Sequence, residues 1–213
     1  GEFLDSCDVD EFKLCLVGLQ EQIESGLRKI GKAGHPSIEI IHASEVIGMQ
    51  DHGVTALRSK PDSSINVAVK LVKAGRAAGL FTAGSTAAAV ACAYLRWHML
   101  PGLDRPCIAT VLPHEKGSFI LLDAGATVEC SSLNLAQFAV IGDIYARHVL
   151  NRKEPAVGLL SNGTEVGKGN RLTKDAFELI REVSSLNFIG NVEGHDLFSG
   201  KVDVVVCEGF VGN

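Results

Sequence analysis

The sequence predicts an α/β protein with a mostly parallel sheet that carries helices on both faces. Short apolar runs alternate with helical patterns along almost all of the 213 residues. The run at 157–160 has no polar alternation, which is typical of a strand buried on both faces. Small or polar turn residues follow five predicted strand ends, and no repeat or low-complexity linker divides the chain.

The length allows one large domain or two small lobes, and the composition limits the classes of binding partner. Hydrophobic residues make up 46 %, and a net charge of −5 leaves no basic footprint for nucleic acid. The six cysteines have no metal-ligand spacing, so we expect reduced thiols in a cytoplasmic protein. Since no apolar run approaches 18 residues, any membrane contact is expected to be peripheral or to lie outside these residues.

In the first half of the chain, three strands are predicted at 13–17, 38–42 and 78–82. Helical spacing follows at 22–30 and again from Ser64 to Gly75, where Ser63 or Ser64 is the expected cap. The stretch 43–63 is polar and is predicted to be irregular. An alanine-rich helix is expected after the turn that begins at Ala83.

The second half is predicted to begin with two neighbouring strands at 107–112 and 119–122, followed by a long helix at 133–150. A strand at 157–160, a helix at 172–180, a strand around 188–189 and a last apolar run from 202 complete the pattern. The carboxyl ends of parallel strands meet at one edge of a sheet. We therefore expect a polar cleft there, and the residues expected to line it are Ser85, Thr86, Lys168, Asn191 and Asn213.

The centre of this cleft is the stretch 155–170, which reads as strand, glycine-rich loop and helix. Gly163, Gly167 and Gly169 allow tight turns with free backbone N–H groups, and Lys168 adds a positive charge, so the loop suits an anion. The glycine spacing is not that of a Walker loop, and Asn170 stands where Ser or Thr would hold magnesium. From this loop alone, a plain connection with a solvated lysine remains an alternative.

Seven segments, in order, carry a resemblance to a known family: SSINVAVKLVKAG, AGSTAAAVA, LPGLDRP, LDAGA, VGLLSNGTEVGKGN, NFIGNVEGHDLFSG and VDVVVCEGFVGN. Together they closely resemble the bacterial phosphate acyltransferases of phospholipid synthesis. The resemblance implies a three-layer α/β/α fold like that of isocitrate and isopropylmalate dehydrogenases. It also implies a cytoplasmic homodimer with peripheral membrane association through a C-terminal region. That region and the family's N-terminal glycine-rich βα unit are not found here, so residues 1–213 are expected to be a single α/β domain of a longer protein.

The implied reaction moves a fatty acyl group from acyl-acyl carrier protein to inorganic phosphate, and it needs neither a cofactor nor a metal. By motif position, Lys168 and Asn213 are the catalytic residues. The residues that the resemblance and the turn pattern place at the substrate or phosphate are Ser85, Thr86, Gly169, Asn170, Asn191, Glu193, Lys60, Ser63 and Ser64. Structural roles stay open for several of these, because Asn191 and Glu193 can cap a turn and the serines can cap a helix.

The chain departs from the family pattern at Ser85, Ala87 and Thr127, where family members usually have Asn, Gly and Asn, and at Glu208, which replaces Asp. Glu208 is a conceivable general base, and Asp123 can bind either substrate or backbone N–H groups. Two other functions remain open: a phosphate acetyl- or butyryltransferase that uses coenzyme A thioesters, and an inactive module that docks the carrier protein. A nicotinamide dehydrogenase is disfavoured because no GxGxxG follows a strand.

Overall fold

The structure, a computed structural model, describes residues 12–51 and 53–213. The chain divides into two compact units, Gly1–His98 and Met99–Asn213. The expectation of a single α/β domain stays a prediction. Within the described residues, no helix has the length and apolar character needed to cross a membrane.

The first unit is built on a parallel pair of strands, β1 (Leu14–Gly18) and β2 (Ile38–His42), with Leu14 opposite Ile38. Both strands and the helix between them were predicted. A small core joins the later helices through Leu57, Val69 and Cys92. The helices are α1 (Gln20–Lys29), α2 (Gly53–Ser59), α3 (Ser64–Lys73) and α4 (Thr86–Trp97).

Two predictions for the first unit were wrong. No strand forms at 78–82, because the apolar run finds no pairing partner among the described residues of this unit, and Phe81 is 93 % exposed. The region 43–63 is not wholly irregular, because α2 lies within it. This helix was missed because, among its residues 54–59, only Ala56 and Leu57 are buried, too few to give a periodic apolar signal.

The second unit contains a five-stranded sheet in the order β3-β4-β7-β5-β6. Strands β4, β7, β5 and β6 are parallel, and β3 pairs with β4 as an antiparallel hairpin. The prediction of an α/β fold with a mostly parallel sheet is therefore confirmed. The strands are β3 (Ala109–His114), β4 (Gly117–Leu122), β5 (Ala156–Leu160), β6 (Asn187–Val192) and β7 (Val204–Val206).

Both faces of this sheet are buried, which explains why its central strands lack polar alternation. Helices α5 (Ser132–Val149) and α6 (Arg171–Arg181) pack with one face over Leu122, Leu159 and Val206. On the other face, Leu121 and Val205 join a second cluster that includes Leu197 and Val202. The start of α5 is fixed by a capping box between Ser131 and Asn134, an arrangement that stabilises a helix by about 1 kcal/mol.

The strand order places four connections along one edge of the sheet. Residues 123–127 follow β4, and residues 207–213, here called the Asn213 turn, follow β7 and contain the short helix α7 (Gly209–Gly212). Residues 161–170, here called the Lys168 loop, follow β5, and a turn from Glu193 follows β6. Because β7 lies between β4 and β5, the Asn213 turn comes between the connection that follows β4 and the Lys168 loop that follows β5.

The turn after β6 depends on Asp196, whose side chain is 6 % exposed. It accepts hydrogen bonds from the ammonium of Lys201 at 2.9 Å and the backbone N–H of Glu193 at 3.2 Å. These two bonds, the Lys201 bond first, hold the pKa of Asp196 below its usual value. The carboxylate form therefore stabilises the fold.

Replacing Asp196 with asparagine is expected to lower the free energy of unfolding at pH 7 by about 1–3 kcal/mol, because the charged hydrogen bonds are weakened. A carboxylate with a lowered pKa stabilises the fold above the unfolded value of about 3.9, and the effect is lost as pH falls through the folded value. Urea unfolding from pH 7 downward checks this, with Glu178→Gln, which breaks an exposed pair with Arg181, as the control. A loss that persists unchanged at low pH would contradict the assignment.

Candidate active site

The Lys168 loop takes a shape that requires glycine at two positions. Gly167 and Gly169 have φ of 89° and 95°, in the left-handed region that other residues rarely adopt. A Cβ on Gly169 would also lie 2.0 Å from the Thr173 hydroxyl. The loop ends where the Asn170 side chain accepts the backbone N–H of Thr173 at 2.9 Å and caps α6. The side chain of Asn170 is thus occupied by the helix, whereas its backbone borders the loop.

Lys168 is exposed at the end of this loop, and its backbone N–H donates to the carbonyl of Glu165 at 3.2 Å. Its stem lies over Gly163, where a Cβ would come within 2.9 Å of Lys168 Cγ. The ammonium forms no ion pair with any residue in 12–51 or 53–213. The side chain is therefore held by its stem while its charge is available to an anion.

The Asn213 turn packs tightly on residues 123–127. The N–H of Gly209 donates to the Thr127 carbonyl at 2.9 Å, and a Cβ on Gly212 would lie 1.9 Å from the Asp123 carbonyl oxygen. The Asn213 side chain lies against Gly125, where a Cβ would be 3.3 Å from Asn213 Cγ. Asn213 itself is exposed at the carboxyl edge of the sheet.

Asp123 holds the loop beneath that turn rather than facing solvent. It is fully buried, and its Oδ1 accepts N–H groups from Ile108, Gly125 and Ala126 at 2.8, 3.1 and 2.9 Å. Its Oδ2 accepts the N–H of Thr127 at 2.6 Å. Of the two roles left open by the sequence, binding of backbone N–H groups is the one that is confirmed.

Other ionisable groups near this edge include Glu208, which caps a helix, and three cysteines whose thiols stay protonated. The carboxylate of Glu208 accepts the N–H of Phe210 at 2.9 Å and caps α7. Burial raises the pKa of Cys107 and of Cys207 to about 12, and it raises the pKa of Cys130 as well. These three thiols are protonated at neutral pH, so none of them supplies a ready thiolate nucleophile.

Asn191 and Glu193 follow one another near the end of β6 but differ in exposure. Asn191 is 6 % exposed, and its Nδ2 donates to the Glu165 carbonyl at 3.0 Å. Glu193 is half-buried, and its backbone belongs to the turn closed by Asp196. The structure thus joins Asn191 to the Lys168 loop, a link that the sequence did not indicate.

Among the candidate residues of the first unit, Lys60 already has hydrogen-bond partners for its ammonium group. Its ammonium donates to the Val46 carbonyl at 2.9 Å and to Asp51 at 2.6 Å. Ser63 is fully buried at the N-cap position of α3, but its hydroxyl makes no capping bond and instead accepts from Asn66 at 3.1 Å. Of the two predicted cap residues, Ser63 or Ser64, the structure places Ser63 at the N-cap, although its side chain forms no capping hydrogen bond.

The remaining first-unit candidates lie at helix starts. Ser64 begins α3 and is half-buried, and Thr86 begins α4 and is exposed. Ser85 caps α4 by accepting the N–H of Ala88 at 3.3 Å. Their grouping in one cleft with residues of the second unit stays a prediction.

A family model described as "Fatty acid synthesis protein" matches residues 3–213. The chain belongs to this family. Curated relatives named "Phosphate acyltransferase" agree with that membership and confirm the resemblance stated from the sequence. The relative from Acidobacterium capsulatum is 51 % identical over 198 residues, which cover 93 % of this chain and 58 % of that protein. The relative from Pelotomaculum thermopropionicum is 48 % identical over 200 residues, which cover 94 % of this chain and 58 % of that protein.

This family member spans about 58 % of the length of those relatives. Its fold is also similar to solved structures of phosphotransacetylases. EutD phosphotransacetylase from Staphylococcus aureus has a TM-score of 0.64 at 16 % identity, with 94 % of this chain and 71 % of that one covered. A phosphotransacetylase from Streptococcus pyogenes has a TM-score of 0.60 at 16 % identity, with 94 % and 79 % covered. At this identity the likeness concerns the fold alone.

Proposed function

We propose that the full-length protein transfers a fatty acyl group from acyl-acyl carrier protein to inorganic phosphate, giving acyl-phosphate for glycerophospholipid synthesis. The observation that carries the proposal is Lys168, which is exposed in a glycine-rich loop at the carboxyl edge of a parallel sheet and forms no ion pair within the described part of the chain. Ligands of open α/β sheets bind at this edge. Support also comes from 51 % identity over 198 residues to a protein named phosphate acyltransferase.

The chemistry needs no covalent intermediate on the protein. A phosphate oxygen attacks the thioester carbonyl carbon, and a C–O bond forms as the carbonyl becomes an oxyanion. Collapse of this tetrahedral intermediate breaks the C–S bond, and the electron pair leaves with the thiolate of the carrier. Phosphate is already a nucleophile at neutral pH and a thiolate is a good leaving group, so the task of the protein is to position both reactants and stabilise the oxyanion.

The roles follow from charge and donor type. The Lys168 ammonium would offset the charge of phosphate or of the oxyanion, and the amide of Asn213 would donate a hydrogen bond opposite it. The backbone of Gly169 and Asn170 would add N–H donors. Ser85, Thr86, Lys60, Ser63 and Ser64 are proposed for the remaining substrate contacts, together with Glu193.

The finer architecture and the partners are proposed on the same ground of family resemblance. The acyl donor would arrive on acyl carrier protein, and the protein would act as a cytoplasmic homodimer with peripheral membrane contact. The sheet of the second unit would belong to a three-layer α/β/α fold of the isocitrate and isopropylmalate dehydrogenase kind.

A second candidate is transfer of an acetyl or butyryl group from a coenzyme A thioester to phosphate. It is considered because solved structures of similar fold, with TM-scores of 0.64 and 0.60, are named phosphotransacetylases. The chemistry at the phosphate would be the same, so the two proposals differ in the thioester that is accepted.

The experiment is an assay of acyl-phosphate formation by the full-length protein, with phosphate and either palmitoyl-acyl carrier protein or acetyl-coenzyme A. We expect product from the carrier-bound donor. Product from acetyl-coenzyme A alone would overturn the choice of donor in favour of the second candidate. Product from neither, with phosphate still stabilising the protein, would overturn both enzymes and indicate an inactive docking module.

A further inference from the structure

One hydrogen bond connects the interior of the Lys168 loop, residues 162–169, with the rest of the described second unit. Within residues 162–169, the described hydrogen bonds are two, and both end on the Glu165 carbonyl. One comes from the backbone N–H of Lys168 at 3.2 Å, inside the loop. The other comes from Nδ2 of Asn191 at 3.0 Å, on β6. One carbonyl oxygen therefore connects the sheet with the turn that carries Lys168.

Apart from the Lys168 stem over Gly163 and the close approach of Gly169 to Thr173, few contacts fix the loop. Residues 164–168 are exposed, and Gly167 and Gly169 have no side chains with which to pack. By contrast, Asn191 lies within the ladder of the sheet, where its partner across the parallel pair is Leu159. A rigid strand thus supplies the fixed end of the contact, and the loop supplies the end that is free to change conformation.

The position of Asn191 also argues against direct contact with phosphate. The side chain is buried, with Asn191 6 % exposed, and one N–H of its Nδ2 donates to the Glu165 carbonyl. Its Oδ1 is buried with no hydrogen-bond partner among the described residues. The neighbouring Ser161 hydroxyl is buried and without a described partner in the same way. An amide oxygen accepts hydrogen bonds and repels a phosphate oxygen. This side chain therefore presents no exposed hydrogen-bond donor to an anion.

We infer that Asn191 is a positioning residue, which fixes the turn of Lys168 through the Glu165 carbonyl and does not touch the substrate. This inference rests on the proposed function only for its kinetic consequence. The coupling of Asn191 to the conformation of residues 162–169 does not depend on which reaction the protein catalyses.

The test compares Asn191→Ala and Asn191→Ser with Asn187→Ala in the full-length protein. Asn187 is the matched control, since it lies on the same strand and its amide also donates to a backbone carbonyl, that of Glu154 at 3.4 Å. The first readout is trypsin cleavage after Lys168, which does not depend on turnover. We expect cleavage there to be about tenfold faster in both Asn191 variants, with cleavage after Lys174 unchanged, since a loop that opens more often is cut more often. Equal rates at Lys168 in the wild type and the Asn191 variants would overturn the inference.

The second readout is a double-mutant cycle on acyl-phosphate formation. Asn191→Ala is expected to lower kcat about tenfold with little change in KM for the acyl donor, and to have no further effect when Lys168 is already alanine. A full additional loss in the Lys168→Ala background would overturn the inference, because Asn191 would then act independently of Lys168. Absence of turnover in the wild type would overturn the proposed function instead, while the trypsin readout would still decide the positioning role.

Discussion

Replacing Lys168 with alanine is expected to lower kcat/KM for acyl-phosphate formation by about 100- to 1,000-fold, the usual effect of removing one charge-stabilising group from such a site. Lys168 is exposed and forms no ion pair within the described residues, so its charge contributes little to the fold. The thermal midpoint should therefore stay close to that of the wild type. Steady-state kinetics and thermal unfolding of the full-length protein measure the two effects.

Two further variants separate charge from packing. Lys168→Met keeps a stem over Gly163 without the ammonium, and its loss of activity should match that of alanine. Lys174→Ala removes another exposed lysine from the neighbouring helix α6 and should leave kcat/KM unchanged. Near wild-type turnover in Lys168→Met would remove the ammonium from the mechanism.

Replacing Asn213 with alanine is expected to lower kcat by about 100- to 1,000-fold, because an amide donor to the oxyanion would be lost. The backbone of the Asn213 turn is held independently of this side chain, through Gly209 and the close approach of Gly212 to Asp123. The turn should consequently survive the change. The measurement is kcat at saturating phosphate and acyl donor, with Val211→Ala, an exposed residue of the same turn, as the control.

Asn213→Asp sharpens this prediction. The carboxylate has nearly the shape of the amide but replaces its donor with an acceptor and a negative charge, which would repel phosphate. Its loss should exceed that of alanine and should appear in KM for phosphate as well as in kcat. If both Asn213 variants keep full activity, the oxyanion is stabilised elsewhere.

The parts of the fold that the sequence predicted are those with an uninterrupted local signal. The run at 157–160 became β5, and the glycines that follow it became the Lys168 loop with two positive φ angles. The failures arise where the outcome depends on tertiary contacts. Residues 78–82 are apolar enough for a strand, yet a strand needs a neighbour, and within the described residues β1 and β2 pair only with each other.

The candidate site was predictable only in part, for the same reason. Lys168 and Asn213 could be found because each follows a strand within a recognisable glycine-rich turn. The link from Asn191 to Glu165 could not, because it depends on the parallel register that places Asn191 opposite Leu159. Register between strands about thirty residues apart is a tertiary property, and the buried run of β5 has no polar alternation from which it could be predicted. Binding of backbone N–H groups by Asp123 was one of the two roles that its turn suggested, whereas the capping role of Glu208 was not predicted.

The central claim is that phosphate itself attacks the thioester while both reactants are bound. The measurement that tests it most directly is the initial rate of acyl-phosphate formation by the full-length protein, with phosphate and acyl-acyl carrier protein varied together. Direct attack predicts intersecting double-reciprocal lines, since both substrates must be bound before any product leaves. Parallel lines, with an acyl group trapped on the protein in the absence of phosphate, would show a covalent intermediate and contradict the account.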